Sequence, residues 1–396
     1  VEVPHGIEEI VLDAQDTDFE SLLTNLQYLK DTKGLKLPKT TLSAEELDTL
    51  MAKYPDLEVT YTLGLAGKEY TADTTSVDLS ALPSNEILAA AETLGRMPEL
   101  ANVELMTAAG TSPLSLSDVQ TLVDAAPQAS FHYTFTLFDK TISTNDTQVA
   151  FKNLSLTEAD IPALRSALGV MTDCTAFILD NCGLSSEQMA QIRADYPRTE
   201  LVWRIKFGKY SAMTNAETIR AVYNVFDDTS SELQYCWRVK YMDIGHNETL
   251  TDLSFVGSMP ELEILIASGC AVKELTGFEN CKKLEFLELA YCYKLENIDA
   301  LADCENLKNL NICYSKVSSL KALDGLPLEQ FMCKQTRVPA AEQKVFKEIH
   351  PKCVTNFYGK EPYAGAGWRY VDNGKTYTEI YKKVREVFGY DDMPQS

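Results

Sequence analysis

The sequence lacks the features by which membrane proteins and many enzymes are recognised. No run of 18 apolar residues occurs, so no transmembrane helix is predicted. Histidine is scarce, with four in 396 residues. Glycine-rich phosphate loops and the HExxH and GxSxG motifs are absent. We therefore predict no cofactor and no metal site.

Positive charge is also in short supply. The chain has 36 Lys and Arg against 58 Asp and Glu, a net charge of −22. Nucleic acids and anionic lipid surfaces attract basic patches, so this balance argues against both as partners. We interpret the acidity as keeping a large surface soluble, and a specific basic partner is the alternative.

Leucine, in contrast, recurs at a fixed interval between residues 239 and 336. Five lines align there, and successive lines begin 23, 22, 23 and 21 residues apart. In each line the first, fourth and sixth positions are apolar, and the last two of these point to the same side of a short strand. The ninth position is Asn, Cys, Ser or Thr, whose side chains can bond to the turning backbone. The lines are VKYMDIGHN from Val239, LEILIASGC from Leu262, LEFLELAYC from Leu284, LKNLNICYS from Leu307 and LEQFMCKQT from Leu328.

The return half of each repeat is patterned as well. An apolar residue occupies every third position there, a pattern that suits short helical turns rather than long helices. They are Leu295, Ile298, Leu301 and Cys304 in one repeat and Val317, Leu320, Leu323 and Leu326 in the next.

This stretch resembles the bacterial leucine-rich repeats of the internalin type, which have about 22 residues each. The resemblance implies an α/β leucine-rich-repeat solenoid. In such a fold a curved parallel sheet lies inside, and helices and short helical turns lie outside. It also implies a binding function, without naming the ligand.

A longer repeat surrounds the short one. Each copy is predicted to form a helix, a proline break, a strand, a tight turn and a second strand. Capping boxes begin two of the helices, Ser43 with Glu46 and Ser185 with Gln188. The copies centre on Pro55, Pro127, Pro197 and Pro351, and the first three are 72 and 70 residues apart.

The tight turns carry a Gly-Lys or Asp-Lys pair, because Gly and Asp tolerate the positive φ of a hairpin turn. We expect β-hairpin excursions from the solenoid, with the four lysines at equivalent turn positions. Solvation of an exposed strand edge is the simpler explanation for lysine there, and a repeated ligand contact is the alternative. The lysines are Lys68, Lys140, Lys209 and Lys360.

Three further lines fit the ladder frame between the hairpin copies. They begin at Ile7, Leu100 and Cys174, and a helical stretch at 85–97 separates two of the strands. We therefore expect long leucine-rich units with hairpins over residues 1–234, short repeats over 235–337, and a last hairpin unit with a C-terminal cap over 338–396. One continuous arc is the favoured arrangement, and the helix predicted from Thr376 to Phe388 would cap its open end.

Ten cysteines invite a disulfide or zinc interpretation, but the C-x2-C spacing of zinc sites does not occur. Cys174, Cys270 and Cys292 fall on inward or turn positions of the ladder, where cysteine acts as a small apolar residue. We predict core packing, with no disulfide among Cys270, Cys281, Cys292, Cys304 and Cys333. Cys313 differs, because it faces outward at the seventh position and its thiol is expected to be exposed.

An enzyme is the alternative to a binding scaffold. His246 and Cys313 lie on the same predicted edge, but they are three repeats apart. At about 4.8 Å per strand the separation is roughly 14 Å, beyond hydrogen-bond reach. A hydrolase or another enzyme would then need a site in the hairpins or in the loop around Trp368.

The binding hypothesis makes a residue-level prediction. The third, fifth, seventh and eighth positions should face the concave side, because the other strand positions are committed to the core. We expect aromatic residues there to form an exposed patch that holds a protein, peptide or glycan, as rigid aromatics often do. Packing of these rings on one another is the alternative. The predicted contacts are Tyr241, Asp243, His246, Phe286, Glu288, Tyr291, Asn311, Tyr314, Met332 and Lys334.

The expected location is extracellular or cell-surface. The sequence begins with Val1 rather than Met, which suggests an export signal removed upstream.

Overall fold

The computed structural model describes residues 6–12, 18–363, 367–371 and 376–392. Chain packing divides them into two compact units. One holds the described residues up to Ala150 with Ser155–Ile178 and Gln191–Leu201. The other holds Phe151–Leu154, Leu179–Ala190 and the described residues from Val202 onward.

The described α-helices are short, and none is longer than ten residues. Both bonds of the predicted Ser43–Glu46 capping box form, and so do those of Ser185–Gln188, at 3.0 and 3.2 Å. The α-helices are α1 (Phe19–Asn25), α2 (Ala44–Lys53), α3 (Ile87–Leu94), α4 (Leu116–Ala125), α5 (Ile161–Val170), α6 (Ser186–Asp195), α7 (Asp227–Ser230), α8 (Ala340–Ile349) and α9 (Glu379–Val387).

Two three-stranded parallel sheets lie in the first unit. One has the order β1 (Glu9–Val11), β2 (Gly34–Leu37), β3 (Glu58–Tyr61). The other has the order β6 (Ser76–Asp78), β7 (Asn102–Glu104), β8 (Ser130–His132). The predicted lines from Ile7 and Leu100 supply β1 and β7, and their central residues Ile10 and Val103 are buried. The line from Ile7 ends in residues 13–15, which lie outside the described residues.

Hairpins leave the sheets where they were predicted in three of the four copies. They are β4 (Leu63–Leu65) with β5 (Lys68–Tyr70), β9 (Thr134–Leu137) with β10 (Lys140–Ser143), and β13 (Glu200–Phe207) with β14 (Tyr210–Met213). The third hairpin belongs to a four-stranded sheet with the order β11 (Gln148–Lys152), β12 (Ala176–Asp180), β13, β14.

The predicted equivalence of the four lysines is wrong. Lys68 and Lys140 each begin the second hairpin strand, whereas Lys209 lies one position earlier, inside its turn. Lys360 follows β21 (Val354–Asn356), and its neighbours in the described part of the chain form bends instead of a hairpin. Lys209 is displaced because its turn is of a different type. Gly208 alone has a positive φ in that turn, whereas both turn residues have one in the first two hairpins.

A seven-stranded parallel sheet forms the second unit's framework. Its order follows the chain: β15 (Thr218–Arg220), β16 (Tyr241–Asp243), β17 (Ile264–Ile266), β18 (Phe286–Glu288), β19 (Asn309–Asn311), β20 (Gln330–Met332) and β21. All five predicted ladder lines supply one strand each, in register. Their first, fourth and sixth positions are buried, as in Leu284, Leu287 and Leu289.

Short 3-10 helices return the chain on the other side of this sheet, as the three-residue pattern predicted. They span Ser254–Ser258, Phe278–Asn280, Asp299–Asp303 and Lys321–Leu323. The chain is therefore a leucine-rich-repeat solenoid with β-hairpin excursions.

Side chains at the ninth position bond to the turning backbone, as predicted. Asn247 Nδ2 donates to the carbonyls of Ala221 at 3.0 Å and Ile244 at 2.7 Å. The thiols of Cys270 and Cys292 lie 3.4 and 3.3 Å from carbonyl oxygens of the preceding repeat. Small donors at this position therefore satisfy backbone acceptors inside the core.

Candidate ligand-binding face

The predicted contact residues share one side of the seven-stranded sheet, which we call the ladder face. Third-position residues pair along it, with Tyr241 opposite Ile264 and Phe286 opposite Asn309. Fifth-position residues form a second row. It runs Asp243, Ile266, Glu288, Asn311, Met332. The sheet therefore brings together the residues that the ladder frame assigned to this side.

The ladder face is covered by the chain's own C-terminal segment, the described residues from Tyr358 to Asp392. Trp368 is fully buried there and stacks on Phe286, with ring centroids 4.8 Å apart. From α9 and its end, Tyr381, Val384 and Phe388 pack into the same cluster. The ladder-face residues of this cluster are Ile264, Ile266, Phe286, Ala290, Cys313 and Met332.

This packing corrects two predictions. The helix near the C-terminus does not cap an open end, since its apolar stripe at 381, 384 and 388 packs on the ladder face. The aromatic patch is not exposed as a whole, because Phe286 has no exposed surface. Asp243, Glu288, Asn311, Met332 and Lys334 are buried as well.

Cys313 is also corrected, since its thiol is buried beneath the segment instead of exposed. Burial raises the pKa of Cys313 to about 11. The backbone N–H of Lys334 donates to its sulfur at 3.2 Å. The thiol is therefore protonated at neutral pH and lacks nucleophilic character.

Two carboxylates lie beneath the segment. Glu288 accepts hydrogen bonds from Trp368 Nε1 at 2.6 Å and Ser268 Oγ at 3.1 Å, and Arg369 Nη2 lies 3.5 Å away. A buried carboxylate is costly unless it is paired and hydrogen-bonded. Trp368 and Arg369 therefore tie the segment to the sheet at this point, and Ser268 adds a donor from the sheet side.

Asp243 forms a second polar anchor. It accepts hydrogen bonds from Tyr390 Oη at 2.6 Å and the backbone N–H of Gly245 at 3.1 Å, with Arg220 Nε 3.9 Å away. Burial raises the pKa of Asp243, although these bonds and the Arg220 charge act in the opposite direction. Burial and the neighbouring Asp243 carboxylate likewise raise the pKa of Tyr390.

Several side chains on this side of the sheet bind main-chain carbonyls of the segment. Lys334 Nζ donates to Glu361 O at 2.7 Å. Asn311 Nδ2 donates to Pro362 O at 3.1 Å, and Gln330 Nε2 to Gly367 O at 3.0 Å. Three of the predicted contact residues, Asn311, Tyr314 and Lys334, thus contact polypeptide within this chain, Tyr314 through a 2.8 Å bond to Lys360 O.

A cleft of about 320 Å³ remains beside the segment. Its charges are balanced, since Arg220 lies near Asp243, Arg369 near Glu288, and Arg385 pairs with Asp391 outside the lining. Polar lining residues include Arg220, Asp243, His246, Ser268, Glu288 and Arg369. Among the described residues, no three His, Cys, Asp or Glu side chains are grouped so that they could hold a metal ion.

The eighth position presents a ring at the edge of the ladder face in four of the repeats. We call Tyr223, His246, Tyr291 and Tyr314 the aromatic rungs. Each has a left-handed backbone, with φ between 59° and 65°. Tyr223 stacks on His246 with centroids 5.2 Å apart, and Tyr291 on Tyr314 at 5.0 Å, both at 22°.

Four predicted contact residues remain accessible: the rungs His246, Tyr291 and Tyr314, and the half-buried Tyr241. His246 is exposed, and Tyr291 and Tyr314 are half-buried. Tyr223 is 54% exposed, and the adjacent Tyr293, 60% exposed, has its ring 5.9 Å from Tyr291.

Sequence reasoning missed Tyr223 and the role of Trp368. The line AETIRAVYN from Ala216 begins 23 residues before Val239 and ends in Asn224, but alanine at its first and sixth positions weakens the leucine pattern. Trp368 follows residues 364–366, which lie outside the described residues, and no periodicity links it to Phe286. Only the amphipathic stripe of α9 signals a partner surface.

Comparisons with known proteins give distant structural likeness only. No family model and no curated protein matches the chain. An internalin of Listeria monocytogenes is 14% identical, over 93% of this chain and 88% of that chain, with a TM-score of 0.34. A leucine-rich-repeat protein of Leptospira interrogans is 13% identical, over 83% and 91%, with a TM-score of 0.33.

A third structure, a functional domain of another Listeria monocytogenes internalin, is described as including a cysteine ladder. It is 12% identical, over 88% of this chain and 67% of that chain, with a TM-score of 0.31. Scores this low support no argument about function, so the solenoid assignment rests on the strands and repeats of this chain.

In the part of the chain that the structure describes, no helix combines the length and hydropathy that a membrane crossing requires.

Proposed function

We propose that the chain is a non-catalytic binding scaffold and that its ligand is a polypeptide segment held at the aromatic rungs. One observation carries the proposal. Rings occupy the same position in four repeats, as two stacked pairs, and all four retain accessible surface. Tyrosine and other large rings are the usual anchors of protein interfaces.

The rungs are fixed before a ligand arrives. Each backbone N–H at this position donates to the next repeat, as Tyr291 does to Cys313 O at 2.8 Å and Tyr314 to Lys334 O at 2.9 Å. Tyr314 Oη is also bonded to Lys360 O. Ordering of side chains costs about 0.5–1.5 kcal/mol each on association. Rungs that are already ordered avoid much of this cost.

A polypeptide fits this surface better than a glycan. Asn311, Tyr314 and Lys334 already donate to consecutive main-chain carbonyls in the C-terminal segment. Donors spaced along a row of repeats suit the regular carbonyls of an extended chain. A glycan is the alternative ligand, and an enzymatic site in the hairpins or near Trp368 is the alternative function.

The test selects ligands against the purified full chain from a displayed random-peptide library. We expect selected peptides to bind at least tenfold more weakly to Tyr291→Ala and Tyr314→Ala, since anchor rings contribute about 2 kcal/mol or more. Tyr28→Ala is the matched control, because Tyr28 is 70% exposed and lies in the other unit.

Circular dichroism must show that all three variants remain folded. Peptides that bind the two rung variants as well as the parent chain would refute the proposal. Binding on a glycan array, with no peptide selected, would favour the glycan alternative.

We also propose an exported or cell-surface location, on the internalin-type repeat pattern alone. Protease added to intact source cells should then digest the protein, while a cytoplasmic marker survives. Protection equal to that of the marker would contradict this location.

A further inference from the structure

The row of aromatic rungs has one gap. Gly269 takes the eighth position between His246 and Tyr291, with the same left-handed backbone, at φ +78°. The hydrogen-bond ladder continues through it, with His246 N to Ser268 O at 2.7 Å and Gly269 N to Ala290 O at 2.8 Å. Only the ring is missing from this repeat.

The gap has the width of one aromatic ring. Neighbouring rungs stack with centroids 5.0 and 5.2 Å apart, close to the spacing of adjacent strands. The rings of His246 and Tyr291 are two strands apart, so roughly 10 Å separates them. A flat ring placed midway would meet each at about 5 Å, within the range of favourable aromatic pairs.

The described C-terminal segment does not supply that ring in a stacked arrangement. Tyr363 is the segment ring beside Tyr291, but it meets Tyr291 edge-on, at 6.2 Å and 70°. Gly269 itself is half-exposed. The 320 Å³ cleft opens next to the gap, along Gly245, His246 and Ser268. The remainder of an entering side chain therefore has space beside the rungs.

We infer that the gap at Gly269 is a slot for one aromatic side chain of a partner polypeptide, a Trp or Tyr that completes the row of rungs. This inference rests on the proposed function and names the chemistry of its ligand. An aromatic ring is favoured over a sugar, because two ring faces flank the slot at the spacing of the chain's own stacks.

The test fills the slot with a ring of the chain's own. Gly269→Tyr places a tyrosine where Tyr291 and Tyr314 show that the left-handed backbone accepts one. Gly269→Ala is the matched control, since it introduces the same backbone strain but no ring. A Cβ at Gly269 meets His246 Cα at 3.5 Å, an ordinary contact, so neither substitution clashes at its Cβ.

N-acetyl-tryptophanamide is the probe, with N-acetyl-leucinamide and maltotriose as comparison ligands, and NMR chemical-shift titration of the full chain is the readout. We expect saturable binding of the tryptophan amide to the parent chain and to Gly269→Ala. Binding to Gly269→Tyr should be at least tenfold weaker, and the leucine amide should not bind. Intermolecular contacts from the indole to the Gly269 α-protons supply a measurement that needs no variant.

Three outcomes would overturn the slot. They are equal binding of the tryptophan amide to all three proteins, no binding of the tryptophan amide to the parent chain, and binding of maltotriose alone. Selected peptides separate this failure from failure of the proposed function. Peptides that are sensitive to Tyr291→Ala but insensitive to Gly269→Tyr refute the slot only. Peptides that are insensitive to both changes refute the proposed function as well.

Discussion

At the scale of single residues, Phe286 shows how a core position can be mistaken for a contact site. Its place on the ladder face follows correctly from the repeat frame. Its burial depends on Trp368, which lies 82 positions later and stacks on it at 4.8 Å. Strand periodicity specifies the side to which a residue points, but it does not reveal what covers that side. The places of the rungs His246, Tyr291 and Tyr314 follow from the same frame, and these rings keep accessible surface even though Tyr314 bonds to Lys360 O of the segment.

The structure changes the expected effect of two substitutions. Phe286→Ala should lower the free energy of unfolding by about 3–5 kcal/mol, because it leaves a cavity under Trp368. Tyr291→Ala removes a half-buried ring and should cost about 1 kcal/mol. Urea titration followed by tryptophan fluorescence measures both changes. Equal losses of stability in the two variants would show that Phe286 is not a core residue.

At the scale of elements, hairpins were predictable from Gly-Lys and Asp-Lys pairs, but turn types were not. The first two turns place both central residues at positive φ, as type I′ turns do, including Ala66 at φ 48° and Phe138 at φ 49°. The third turn places only Gly208 there. The fourth copy forms no described hairpin, and its chain binds the ladder face through Lys360 and Glu361 carbonyls. A dipeptide signal cannot report such long-range contacts.

Opposite outcomes are expected in the first and third turns. Ala66→Asn should raise the free energy of unfolding by about 1 kcal/mol, since Asn-Gly suits a type I′ turn and alanine does not favour positive φ. Gly208→Ala should lower it by about 1–3 kcal/mol, because the new Cβ would lie 1.8 Å from the Asn224 carbonyl oxygen. Thermal and urea unfolding of both variants provide the test. Destabilisation by Ala66→Asn would contradict the assigned turn.

Docking of the segment that contains α9 should depend on pH through Asp243. Burial raises the pKa of Asp243 above its ordinary value of 3.8. Protonation therefore favours the covered state. This stabilisation of the covered state is complete below pH 3.8 and is lost as the pH rises through the raised pKa of Asp243. Asp243→Asn cannot ionise, yet its amide oxygen can still accept from Tyr390.

We expect Asp243→Asn to be at least as stable as the parent chain at pH 7, with each unit of pKa shift contributing about 1.4 kcal/mol. The difference between the two proteins should shrink as the pH falls towards 4. Because both proteins are measured at each pH, the difference between them isolates the contribution of Asp243 from that of the groups they share. Urea unfolding at several pH values measures the difference, and a constant difference would show that Asp243 does not couple docking to pH.

At the scale of the whole molecule, the repeat period predicted the solenoid architecture, because each short strand must stack on its neighbours to bury its apolar face. The ladder also predicted burial of the cysteines at its inward and turn positions, although it wrongly placed Cys313 at an exposed position. Nine of the ten are buried and Cys353 is half-buried, and all ten are free thiols. What the period could not predict is the use of the ladder face, since the C-terminal segment that covers it is not part of any repeat.

The thiols should therefore be unreactive in the folded protein and available after unfolding. Burial raises the pKa of Cys292, Cys333 and Cys353 to about 12, and the reactive thiolate is scarce at neutral pH. Titration with a chromogenic disulfide reagent at pH 7.5 should label at most one thiol quickly in the native protein, the half-buried Cys353. The same titration in denaturant, without a reductant, should find all ten. A deficit of two or more would reveal a disulfide and overturn the assignment of these cysteines to core packing. Fast labelling of several thiols in the native state would instead show that the C-terminal segment or the ladder turns open readily. Cys313 is then the first candidate, because it lies in the cluster formed with the segment.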